Sequence, residues 1–214
     1  MNVRTPEELN QRIHTELAWR RKELHEFYSL VRSSETRRLQ LFIRGAVAVL
    51  YAHWEGFIKA AGESYLEFVR IRRLQYKDLT PNFVALALQK LLQEAQTTNS
   101  MSAYLAVVGI LTGPMTDRAL IPRKNVVNTR WNLSSTVFRE IVEALGLEYR
   151  NEYATAEKPV IDRLLELRNN IAHGGDFERI EFDEYEQLHN RTVELLILFG
   201  NDIDNSATLK RYQR

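Results

Sequence analysis

The chain contains no cysteine, which removes disulfides, thiolate nucleophiles and every zinc site built on sulfur, and makes a reducing compartment its natural setting. Five prolines and nine glycines are too few for a collagenous or low-complexity chain. A long apolar run is also missing. The longest uncharged stretch, residues 95–116, is interrupted by Thr97, Thr98, Asn99, Ser100, Gly113 and Pro114. Its truly apolar part, Tyr104 to Leu111, is too short to cross a bilayer, so no membrane partner is expected. The opening residues, Met-Asn-Val-Arg-Thr-Pro-Glu-Glu, lack the apolar segment of a secretory signal, and a cytoplasmic location is expected. No glycine-rich phosphate loop, no Gly-x-Gly-x-x-Gly, no serine elbow and no pair of histidines at metal-ligand spacing occurs. The expectation is therefore a protein with no metal and no cofactor.

What is present is enough for a folded domain. The 214 residues are 44% hydrophobic and 27% charged, which suits one sizeable core and one domain over 1–214. Net charge is +1, but it is unevenly placed. Residues 1–133 carry 19 Lys/Arg against 12 Asp/Glu, and residues 134–214 carry 10 against 16. A basic part of that size suits phosphates, or equally the acidic part of its own or another copy.

The periodicity is helical throughout. Thr5-Pro6-Glu7-Glu8 combines a capping Thr, a Pro whose missing N–H is harmless in the first turn, and a Glu placed to reach back, and helical spacing continues from Leu9 to Val31. Ser33-Ser34 breaks it. A second helical period runs from Leu39 to Val69, uncharged between Gly45 and Trp54, and reads as the buried centre. Gly45, Gly56 and Gly62 weaken this helix, which makes sense where another backbone approaches closely. Further helices are predicted from Thr80-Pro81 to about Gln96, over Ser102 to Leu111, and from Asn132, Ser134 or Ser135 to a stop at Gly146. Pro159 should open the next, which runs to His173. A capping box of Asp183 and Glu186 should start the last, which runs to about Ile203. Residues 113–132, with Arg118, Arg123, Lys124 and Arg130, read as a basic loop or short extended excursion. No alternation long enough for a sheet and no internal repeat is visible, so the fold class is all-α, a helical bundle.

Two segments hold the polar residues that invite chemistry. At about 100° per residue, Val160, Leu164, Leu167 and Ile171 form the core stripe of the helix that ends at His173, with Asn169 and His173 on the opposite side near Asp162 and Glu166. Ile161, Leu165 and Ala172, bordered by Arg168, form a spare apolar strip suited to packing on something else. Alternatively, Arg168 and His173 serve the helix dipole and Gly174 is its cap; spacing alone favours this account, although two consecutive Asn in the last turn speak against it. The second segment is in the central helix, where His53 and Glu55 need partners if they are buried. An internal hydrogen-bond network satisfies that need more simply than catalysis. His14, His25 and His189 lie on charged faces and read as solvated.

At these segments the sequence resembles the HEPN superfamily, the α-helical nucleotide-binding and ribonuclease domains of prokaryotic toxin and antiviral systems. The family motif, an Arg, a polar residue and a His a few residues on, reads here Arg168-Asn169-Asn170-Ile171-Ala172-His173. Leu50 to Leu66 (LYAHWEGFIKAAGESYL) and Asn132 to Glu148 (NLSSTVFREIVEALGLE) are similar to the early and middle parts of a HEPN-like nuclease branch. The resemblance implies a HEPN-like bundle with an inserted helical and loop segment at about 76–130, and a metal-independent endoribonuclease in which a homodimer joins two Arg-His motifs in one cleft. It further implies RNA as substrate, a 2′-hydroxyl attack that DNA does not support, and products ending in 2′,3′-cyclic phosphate. The roles it carries over are His173 as general acid/base, Arg168 as phosphate clamp and Asn169 as positioning donor, with Glu55 and His53 orienting Arg168 or His173. Asp162 and Glu166 would favour protonated His173 if near it in space. An antitoxin or defence-system partner protein fits such a role. The tyrosine that a nucleotidyltransferase antitoxin modifies in some members is replaced by Gly175. A catalytically silent nucleotide- or RNA-binding module, or an adaptor, is the alternative reading.

Overall fold

The computed structural model describes residues 3–122, 126–174 and 179–214. Arg123, Lys124 and Gly175, singled out above, lie outside the described residues. Among the described residues eight α-helices follow in order: α1 (Pro6–Arg32), α2 (Thr36–Ile71), α3 (Pro81–Thr98), α4 (Met101–Thr112), α5 (Ser135–Ala144), α6 (Asn151–Ala156), α7 (Arg163–Ala172) and α8 (Phe182–Thr208). No strand forms among the described residues, where pairing is limited to isolated bridges such as Gln75 with Arg118.

The start of α1 obeys its local code: the Thr5 hydroxyl accepts from Glu8 N–H at 3.2 Å, and the Glu8 carboxylate accepts from Thr5 N–H at 3.3 Å. Gly146, at φ +66°, stops α5 in the left-handed conformation that glycine adopts without strain. Two other starts differ from expectation. The helix assigned to Pro159 begins at Asn151 and passes through a π-helical stretch, Glu157–Asp162, that holds the proline inside it. A proline lacks the N–H that a regular turn uses, and the wider turn accommodates that loss. The Asp183–Glu186 capping box does not form: Glu181 occupies the cap position without a side-chain bond, and the Glu186 carboxylate instead accepts from the Tyr28 hydroxyl.

Helices α1, α2 and α8 pack together, and α7 lies on α2. Their common core is aromatic, with Trp54 5.1 Å from Phe138, Phe138 5.1 Å from Tyr153, and Phe57 6.5 Å from Phe199 between ring centroids. Arg150 and the Tyr153 hydroxyl both bond the buried Asp202 carboxylate, at 2.8 and 2.7 Å. Two of the three glycines of α2 face side chains, and none faces another backbone. A Cβ at Gly56 meets the Arg20 guanidinium at 3.0 Å, one at Gly62 meets Val127 at 3.0 Å, and Gly45 has open space. Helix α3 buries Phe83, Val84, Ala87 and Leu88 in the core, and α4 packs on α3 and leaves Met101, Leu105, Val108 and Leu111 exposed.

The basic excursion is pinned down. Ala119, Ile121, Val127 and Leu133 are buried, Ala119 N–H bonds Leu74 C=O, and Tyr76 N–H bonds Asp117 C=O. His189 also departs from expectation. It is buried and stacks on Tyr28 at 4.9 Å, because α8 turns that position toward α1.

Candidate active site

Leu164 and Leu167 anchor α7 against α2. The π-helical stretch shifts the angular phase before α7, so Ile161, expected in the spare strip, is buried; the strip shortens to half-buried Leu165 and exposed Ala172. The last turn carries the motif. His173 N–H bonds Asn169 C=O at 3.0 Å, and Gly174, at φ +66°, ends the helix. His173 is therefore both the C-terminal cap and an exposed imidazole, with half-buried Asn169 one turn behind it.

Arg168 does not serve its own helix end. Its guanidinium carbon lies 4.1 Å from the centre of the Tyr51 ring, and Nη2 donates to the Trp131 carbonyl at 2.9 Å and to Asn132 Oδ1 at 3.4 Å. Tyr51 holds this arrangement from beneath: its hydroxyl accepts from Leu133 N–H at 2.7 Å, and burial pushes its phenol above the ordinary tyrosine range. A guanidinium seated on an aromatic face and fixed by two acceptors gives up little rotamer freedom when it meets an anion. The buried Nε has no hydrogen-bond partner among the described residues.

Glu55 follows Tyr51 by one helical turn on the same face of α2. It is half-buried and lines a groove of about 1000 Å³ with Gly56, Lys59, Asn128 and Trp131. His53 does not join this site. Two residues from Tyr51 is about 200° around the helix, so His53 faces α1, where Nε2 is 3.0 Å from Glu23 Oε2 and Nδ1 is 3.5 Å from Arg20 Nη1. Trp19 packs edge-on against it at 5.2 Å. Burial pushes the His53 imidazole below its ordinary value, with Glu23 opposing.

Asp162 and Glu166 are likewise engaged elsewhere. Asp162 accepts from Ser135 N–H at 2.8 Å and from its hydroxyl at 2.9 Å, and pairs with Lys158 at 3.1 Å. Burial raises its pKa, but these donors outweigh it and hold the carboxyl below the usual range. Glu166 pairs with Arg163 at 3.1 Å. The structure thus sets Arg168, Asn169 and His173 on the last turns of α7, and Glu55 one helical turn along α2 from the Tyr51 that carries Arg168. It adds Tyr51 and Trp131, which the sequence did not single out as site residues. Their one sequence signal is spacing: Tyr51 and Glu55 are four apart, and Trp131 immediately precedes the cap region of α5.

The chain belongs to the HEPN superfamily: the model of the MAE_28990-like HEPN family matches residues 9–212. HEPN domains are often ribonucleases or defence-related proteins. No curated protein and no solved structure matches the chain.

Proposed function

We propose that this protein is a metal-independent endoribonuclease of a prokaryotic toxin or antiviral-defence system, acting as a homodimer whose two α7 ends line one cleft. The observation that carries this reading is the pairing of an exposed His173 with an Arg168 held ready by Tyr51, Trp131 and Asn132. One imidazole takes the proton from a ribose 2′-hydroxyl as its oxygen attacks the adjacent phosphorus. The imidazole of the second copy gives a proton to the departing 5′-oxygen. The non-bridging phosphoryl oxygens gather negative charge between them, and Arg168 neutralises it in place without reorganising. The bond made is 2′-O–P, the bond broken is P–5′-O, and a 2′,3′-cyclic phosphate remains. Asn169, one turn behind His173, positions the phosphate or the imidazole.

The test is incubation of purified protein with single-stranded RNA in excess chelator, beside His173→Ala and a DNA of the same sequence. Chelator-resistant cleavage of RNA alone, leaving cyclic phosphate ends and lost in His173→Ala, is the expected result. Retention of RNA without cutting makes the domain a binding module, and a strict monomer at active concentrations removes the second half of the site.

A further inference from the structure

We infer that Trp131 is a stacking platform for one nucleobase of the substrate, beside the phosphate that Arg168 holds; the inference rests on the ribonuclease reading above. Trp131 is 88% exposed, against 45% for Trp19 and 1% for Trp54. Among the described residues little covers the ring, yet its backbone is firmly set. Arg130 and Trp131 both adopt left-handed φ values, +53° and +59°, which residues with a Cβ rarely take in succession. The surrounding bonds impose this conformation. Asn128 Oδ1 accepts from Arg130 N–H at 2.9 Å, and Asn132 N–H donates to Thr129 C=O at 3.0 Å. Leu133 N–H is tied to Tyr51, and Arg168 is bonded to the Trp131 carbonyl. A turn fixed at four points, with its indole in solvent, orders no further chain when a flat ligand arrives.

The neighbourhood decides between a base and a protein. Protein hot-spot tryptophans sit among apolar residues that exclude water. Arg130, Asn132 and Arg168 flank Trp131, Pro122 and Val126 line the adjoining groove, and the described helix with the most exposed large apolar side chains is α4. A π face flanked by guanidinium and amide groups matches a single-stranded nucleotide, whose base stacks while its phosphate meets the cation. The groove running from Trp131 along α2 carries Glu55, Glu63 and Glu67 among Arg12, Lys59 and Arg70, and Arg12 is paired with Glu67 at 3.2 Å. Among the described residues these carboxylates interrupt a cationic track for a phosphate backbone, so recognition falls on one stacked base and not on an extended strand.

The experiment uses the full chain and a 2′-O-methylated single-stranded oligonucleotide of mixed sequence, which cannot be cleaved through its 2′-oxygen. Binding should quench tryptophan emission in the intact protein but not in Trp131→Phe. Trp131→Ala should bind roughly tenfold more weakly or worse, and Trp131→Phe close to normally, since stacking needs only a flat ring. With cleavable RNA, Trp131→Ala should raise KM and leave kcat nearly unchanged. Equal affinity of the intact protein and Trp131→Ala overturns the inference, as does a shift of Trp131→Ala from dimer to monomer, which makes the ring a contact between copies. Cleavage that ignores Trp131 leaves the ribonuclease reading standing without this inference. Trp131-dependent binding in a protein that never cleaves does the reverse.

Discussion

His53 and His173 are both helical histidines next to an arginine-bearing cluster, and they differ in what surrounds them. His53 is buried between α1 and α2, its two nitrogens facing Arg20 and Glu23 and its ring against Trp19. That pattern fits an imidazole protonated on Nε2, accepting from arginine and donating to glutamate; its hydrogen-bonding capacity is used up within the protein. His173 caps α7 in the open. A side chain satisfied by its own fold contributes stability, whereas an exposed one at the end of a helix that also carries a fixed cation is available to a ligand.

The largest effect that can break this contrast is on turnover. His173→Ala should lower RNA cleavage by about 100-fold or more, the usual weight of a general acid or base, with an unchanged melting curve. His53→Ala should do the converse. Cleavage measured well below its melting temperature should stay near normal, and urea titration should show a loss of about 1–3 kcal/mol, because buried Arg20 loses the acceptor of its Nη1 and, among the described residues, keeps only Glu16, on Nη2. If His53→Ala abolishes cleavage in a protein that remains folded, the contrast fails.

A smaller effect comes from pH. Burial pushes the imidazoles of His53 and His189 down from their ordinary value. The unfolded chain therefore takes up protons at about pH 6.5 while the folded chain still resists. Stability should be fully present above that pH and decline as pH falls through it toward the depressed folded values. Urea midpoints compared at pH 8 and pH 5 check the sign, and His189→Phe, which keeps the stack on Tyr28, should flatten part of the slope. The smallest expected change is a gain: Gly45→Ala, in open space within α2, should stabilise by about 0.5–1 kcal/mol in the same titration.

The features legible in the sequence are those set by neighbours along the chain. The Thr5 box, the Ser33-Ser34 break, the Gly146 stop and the position of Arg168 and His173 at a helix end all follow from local pattern, as does the all-α class. The misread features depend on distant partners. Glu186 was matched to Asp183, but Tyr28 claims it from another helix. His189 lies among charged neighbours in sequence, yet α1 covers it. Pro159 has the signature of a first turn, and only packing reveals that the helix had already begun at Asn151. Trp131 has no pattern of its own, because exposure is a property of the folded surface.

The bond from Arg168 to position 131 is made to a main-chain carbonyl. Any residue placed at 131 that keeps the turn presents that same oxygen, so the guanidinium keeps its seat whatever side chain stands above it. For the proposed ribonuclease this would uncouple reactivity from taste: one position could be exchanged to sample new targets while the groups proposed to break the bond stay aligned.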